Sequence, residues 1–179
     1  MLSMGDERVH LPESKEESQQ FLKYLLRDVR AMEKMLNEGW FEIDNVRIGA
    51  EQEVCLIDKN AKPYPIAMEL MEKLGENGFT TELARFNLEA NLTPQLYEGK
   101  CLSNLETEIL GKLDHIREVI QEFEGDLALA GVLPTIRKSD LDIKNLTPLQ
   151  RYHALCDAIN KLRGEEYDLR IQGADELLM

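Results

Sequence analysis

Two stretches of this chain change sides with every residue, and the two sides are chemically unlike. From Val46 to Asp58, the side chains of Val46, Ile48, Ala50, Val54 and Leu56 fall on one side, with Gln52 as the only polar member. Arg47, Gly49, Glu51, Glu53 and Cys55 fall on the other. From Thr80 to Thr93, Ala84, Phe86, Leu88, Ala90 and Leu92 share one side, while Arg85, Asn87, Glu89 and Asn91 share the other, until Pro94 stops the run. A period of two is a strand, because successive side chains leave opposite faces. A strand with one apolar and one acidic face can be covered on one side only. Helices and strands alternate along the chain, as in a parallel α/β sheet, but strands buried on both faces read as continuous apolar runs, so an α+β arrangement fits better.

The rest of the pattern is helical. Ser14-Lys15-Glu16-Glu17 fits a capping box, and Phe21, Leu22, Leu25, Leu26, Val29, Met32 and Leu36 then recur at helical spacing up to Gly39. This predicts a long helix with a core-facing stripe. A short helix around Ile66 to Leu74 ends at Gly75-Glu76-Asn77-Gly78. Ser103-Asn104-Leu105-Glu106 reads as a second capping box, opening a helix with Leu105, Ile109, Leu113, Ile116, Ile120 and Phe123 on its stripe. Leu127 to Leu133 reads as a short buried strand ended by Pro134. Thr147-Pro148-Leu149-Gln150 starts a further helix, with Thr147 as N-cap, that runs to about Leu162 and stops at Gly164. A last strand begins near Tyr167. The expected fold is α+β: a mainly antiparallel sheet with one face packed by helices and the other open as the site. Residues 1–13 are expected to be a flexible lead-in, and 14–179 a single α+β domain.

Composition narrows the partners. The chain carries 34 Asp and Glu against 21 Lys and Arg, a formal charge of −13, so phosphodiester backbones and anionic membranes repel it. Neither nucleic acid nor a membrane is an expected partner. Cys55, Cys101 and Cys156 form no CxxC pair, which argues against a disulfide framework and a thiolate zinc site and suits a reducing compartment. The longest apolar stretch, Leu127 to Leu133, is too short to span a bilayer, and no basic-then-apolar leader opens the chain. Cytoplasmic residence is the expectation.

Chemistry gathers on the polar faces. Glu51 and Glu53 project from one face of the first strand, and Glu89 from the polar face of the second, among Arg85, Asn87 and Asn91. Side by side, the two strands would present three carboxylates, two amides and the guanidinium groups of Arg47 and Arg85 on one open surface. Oxygen ligands of this kind suit Mg²⁺ or Mn²⁺, and arginines pair with carboxylate or phosphate in bidentate fashion. The alternative is a solvated acidic face, the default for a chain of this charge. His10, His115 and His153 are isolated, and there is no P-loop. Carboxylates beside Cys55 raise its pKa and make it a poor nucleophile.

Arg47-Ile48-Gly49-Ala50-Glu51-Gln52-Glu53 resembles the GxExE strand of the glutamate–cysteine ligase type 2 family, the carboxylate–amine ligases. The run from Glu82 to Pro94 looks like that family's second acidic strand. Gly131-Val132-Leu133-Pro134-Thr135 resembles the strand after its long helix, and Arg151-Tyr152 the start of its next helix. The matches keep their order from about Val46 to Gly173. The resemblance implies a glutamine-synthetase-like catalytic fold curved around an ATP and metal site. It implies two small-molecule substrates, an amino-acid carboxylate and an amine, joined through an acyl phosphate at the expense of ATP. By position, Glu51, Glu53 and Glu89 are then metal ligands for Mg²⁺ or Mn²⁺, and Arg85 is a catalytic contact to carboxylate or phosphate. Asn87 and Asn91 are then cofactor-binding. Glu82 carries over less readily, since strict alternation puts it on the apolar face.

Family members continue with further strands, one bearing a histidine. The resemblance therefore implies the N-terminal portion of a larger ligase, with little turnover of its own and an exposed sheet edge that invites homo-oligomers. A non-catalytic module of the same fold, or an acidic cation-binding domain without ligase chemistry, are the readings that compete with it.

Overall fold

The first alternating run does not stay one strand. Gly49 and Ala50 interrupt it, leaving β1 (Arg47–Ile48) and β2 (Glu51–Ile57). β1 lies antiparallel to β5 (Gln95–Leu96), with Arg47 opposite Leu96. The second run divides too: β3 (Phe79–Thr81) and β4 (Asn87–Asn91) are separated by a turning segment over 82–86. With β6 (Asp126–Ala128), these strands form a sheet in the order β3-β4-β2-β6, every pair antiparallel. The expected strand from Leu127 to Leu133 is thus shorter; Leu129 and Val132 are exposed beyond it and only Leu133 is buried again. This computed structural model describes residues 9, 11–75, 77–163, 170–172 and 176–178.

One face of the sheet is apolar and covered. Val54 and Leu56 of β2, with Leu88 and Ala90 of β4, are at most 1% exposed. Onto them pack Ala67, Leu70 and Leu74 of α2 (Ala67–Leu74) and Leu113, Ile116, Val119 and Ile120 of α3 (Cys101–Ile120), with Phe79 and Leu127 completing the cluster. The α3 residues recur at helical spacing, so one helix stripe meets one pleat face. Each fully buried leucine or isoleucine here contributes about 1.5–3 kcal/mol. The fold is α+β, as expected.

Two helix starts differ from expectation. α3 opens at Cys101 with Lys100 as an unassisted N-cap, so Ser103 sits inside the first turn and its carbonyl accepts the Thr107 hydroxyl at 2.9 Å. Thr147 caps no helix. It is fully buried, and its hydroxyl donates to the Glu82 carbonyl at 2.5 Å. The helix begins only at Gln150, three residues on, and the Thr147 hydroxyl ties the chain to 82–86 instead.

The described residues fall into two compact units, one drawn from 1–46 and 149–162, the other from 47–148 and 163–179. The second contains the sheet, α2 and α3; it also holds β7 (Arg170–Gln172), paired antiparallel with β8 (Glu176–Leu178). The first contains α1 (Lys15–Asn37) and most of α4 (Gln150–Arg163). α1 starts as its capping box requires: Ser14 Oγ accepts from Glu17 N at 3.0 Å. The Glu17 carboxylate reaches one residue further back than the usual box, to Glu13 N at 2.8 Å. Its stripe, however, is not core. Phe21, Leu22, Leu25, Leu26, Val29, Met32 and Leu36 are all exposed, and no residue of α1 is buried. Periodicity states which side chains share a face, not whether anything covers it. Residues 1–8 of the lead-in, His10, Glu76, the helix stop at Gly164 and the strand start near Tyr167 lie outside the described residues.

Candidate metal centre

The register of β2 on β4 fixes what meets on the open face. Val54 lies opposite Leu88 on the covered side, so the alternate pairs face outward: Glu51 with Asn91, Glu53 with Glu89, and Cys55 with Asn87. On the far side of β4, Thr80 of β3 lies opposite Glu89. A row of Glu53, Glu89 and Thr80 therefore crosses three strands. Two carboxylates directly opposite one another destabilise a ladder, and this sheet tolerates such a pair.

A third carboxylate joins them. Glu53, Glu82 and Glu89 each offer an oxygen within 4.8 Å of the others. Strict alternation sends Glu82 to the covered face, but the strand has ended at Thr81, so the alternation no longer applies. The segment 82–86 is instead held by 145–147: Arg85 N donates to Asn145 O at 2.8 Å and Thr147 N to Leu83 O at 2.9 Å, with Ala84 bridged to Leu146. The Thr147 hydroxyl on the Glu82 carbonyl completes this brace. Sequence reasoning undervalued Glu82 because the brace comes from residues about sixty positions away. The signal available was its place three residues before a polar run, which fits a turn as well as a strand.

The same break moves Arg85. It was expected beside Asn87 and Glu89, yet its guanidinium pairs with Glu69 of α2 at 3.2 Å. Among the described residues it pairs with none of the three clustered carboxylates. The physical reason is the turn, which reverses the direction its parity predicts. Arg47 belongs to β1, which pairs with β5 and not with β4. Glu51 keeps the open face but is not one of the three clustered groups.

Electrostatics follow the geometry. Burial, then the charges of Glu89 and Glu53, push the Glu82 carboxyl above its ordinary value of 4.5. Burial, and after it Glu53, raise the Cys55 thiol, which is buried and inert in consequence. Asn91 Nδ2 donates to Glu89 Oε1 at 2.8 Å, and Thr80 Oγ1 to the same oxygen at 2.9 Å. Among the described residues, the buried Asn87 Oδ1 has no hydrogen-bond partner, and Arg85 Nε likewise. The three converging carboxylates form a hard-oxygen donor set, and Asn87 lies two positions from Glu89 on the same side of β4. Such a set fits Mg²⁺ or Mn²⁺ and not a soft metal.

Arg151, at the start of α4, lies over the Tyr152 ring at 4.7 Å and donates to its hydroxyl at 2.9 Å. Among the described residues, no helix is long and apolar enough to cross a membrane.

No curated protein and no solved structure matches the chain. A sequence profile does: that of glutamate-cysteine ligase family 2, over residues 47–167. That span opens at β1 and takes in both acidic strands, the 82–86 segment and its brace. The chain belongs to glutamate–cysteine ligase family 2, a family of ligases.

Proposed function

We propose that the chain is part of an ATP-dependent carboxylate–amine ligase whose acidic face holds one or more divalent cations against the phosphates of ATP. Glu53, Glu82 and Glu89 would hold the metal, and Glu51, on the same face, would serve a further ion. Asn87 offers its unpaired oxygen to the same site. The bound cation supplies neutralisation of phosphate charge, which is the main requirement of phosphoryl transfer. A substrate carboxylate oxygen attacks the γ-phosphorus of ATP and ADP leaves. The amine then attacks the acyl carbon, phosphate leaves, and an amide results. The family's named substrates, glutamate and cysteine, are the first pair to test. Arg85, held by Glu69, is kept as a contact to a substrate carboxylate or phosphate only if that ion pair opens.

The observation that carries this reading is the convergence of three carboxylates across paired strands, in a chain belonging to a ligase family. Without a cation, their mutual repulsion destabilises the sheet that brings them together. We further read the chain as the N-terminal part of a larger ligase domain, working in the cytoplasm and able to self-associate through a sheet edge. Titration with Mn²⁺, followed by the loss of the free-ion EPR signal, tests the centre. Glu89→Gln and Glu53→Gln should each weaken binding by about tenfold or more, since a ligand loss should be at least as damaging as the loss of an outer-shell partner. Unchanged affinity in both variants would sink the assignment.

A further inference from the structure

We infer that Thr80 and Asn91 are positioning residues that hold the Glu89 carboxylate in place for the cation. This rests on reading the acidic face as a metal centre, and it gives Asn91 a task other than meeting the nucleotide. The three side chains form a closed triangle. Thr80 Oγ1 donates to Glu89 Oε1 at 2.9 Å, Asn91 Nδ2 donates to the same oxygen at 2.8 Å, and Asn91 Nδ2 also donates to Thr80 Oγ1 at 3.0 Å. A carboxylate only accepts, so the amide must turn its NH₂ and not its carbonyl toward Glu89. The two hydrogens of that NH₂ serve the two bonds. The single hydroxyl hydrogen of Thr80 goes to Glu89, and a hydroxyl lone pair receives Asn91. Every donor is used, and the triangle has one arrangement.

The consequence is directional. Two donors hold Oε1 of Glu89, and neither of them engages Oε2. Glu89 lies within ligand range of Glu53 and Glu82. A glutamate with rotatable bonds, set between two like charges, relieves the repulsion by swinging to solvent. The triangle blocks that escape before any cation arrives. Its corners are fixed by backbone as well: Thr80 and Glu89 are cross-strand partners, and Asn91 N donates to Gly78 O at 2.8 Å. Gly78 has φ +77, and a Cβ there would stand 3.0 Å from Asn91 O, so the strand end holding Asn91 depends on that glycine. Outer-shell donors to a ligating group typically raise metal affinity by about 10–100-fold.

The test is a Mn²⁺ titration of the full chain by EPR, with circular dichroism melts in the absence of metal. Thr80→Val keeps the β-branched shape and removes the hydroxyl; it should weaken Mn²⁺ about tenfold, whereas Thr80→Ser should restore the wild-type affinity. Added to Glu89→Gln, Thr80→Val should have no further effect, because its influence passes through Glu89 alone. Asn91→Ala reports through the other donor if Thr80→Val does not melt cooperatively. Wild-type affinity in both clamp variants, or an equal loss from Thr80→Val when Glu89 is already glutamine, overturns the positioning role while leaving the metal centre standing. Absence of Mn²⁺ binding by the wild-type chain overturns the metal centre and the positioning role together.

Discussion

A carboxyl group partly withdrawn from water and facing two others keeps its proton more readily than one in solvent, and Glu82 is such a group. Its folded pKa lies above its unfolded value. In the metal-free chain, ionising Glu82 therefore costs stability, and that cost is absent below about 4.5 and complete once the pH exceeds the folded value. Glu82→Gln should accordingly raise the metal-free melting temperature near pH 7 and leave it nearly unchanged below pH 4.5. The same substitution should reduce the rise in melting temperature that Mn²⁺ produces. Asp58 behaves in the opposite sense. Its carboxylate accepts from Lys62 N at 2.9 Å and Asn60 N at 2.8 Å, and these amides hold its pKa below the ordinary 3.8. Its contribution is present above the unfolded value and is lost as the pH falls through the lower folded one. Asp58→Asn should lower the melting temperature at pH 7, with the difference from wild type closing below pH 3.8, as thermal melts across pH would show.

At the level of elements, the two apolar surfaces make contrasting predictions. Leu88 is fully buried against α2 and α3, so Leu88→Ala should cost about 2–5 kcal/mol in a denaturant titration. Leu25 in α1 is exposed, and Leu25→Ala should change stability by no more than about 0.5 kcal/mol. Both leucines sit on clean periodic stripes, so the sequence alone cannot separate them; coverage is a property of what arrives from elsewhere in the chain. The alternation of β2 and β4 was legible because period-two side chains of opposite polarity admit one placement. Their partition was not. Gly49 and Ala50, and the stretch from Glu82 to Phe86, continue the parity of the flanking strands while ending their ladders. Arg85 and Glu82 exchanged faces at that second break, which is why one of the expected site residues pairs with Glu69 and an undervalued one joins the cluster. Glu53 and Glu89, well inside the ladder, were placed correctly by alternation.

For the molecule as a whole, the charge of −13 is unevenly used. Three of the acidic groups meet within 4.8 Å, so a cation that binds there should stabilise the chain beyond general screening. At a hundred times its Kd, Mn²⁺ should add about 2.7 kcal/mol by mass action. An equal ionic strength of a monovalent salt should add much less, and differential scanning calorimetry separates the two. The family span of 47–167 contains the whole four-stranded sheet, so this stabilisation belongs to the part of the chain shared with other members.

The Glu53–Glu89 register also bears on how the chain reaches its fold. β2 meets β4 across a long loop and β6 across a longer one, with Cys55 paired to Ala128. Contacts so distant in sequence make for a slow search. The β2–β4 contact must close against the repulsion of two carboxylates aligned face to face. If that pairing forms in the rate-limiting step, divalent cations will speed refolding and leave unfolding nearly unchanged; if it forms afterwards, they will slow unfolding instead. Stopped-flow refolding with and without Mn²⁺ distinguishes the two orders, making the site's own chemistry a clock for the assembly of its sheet.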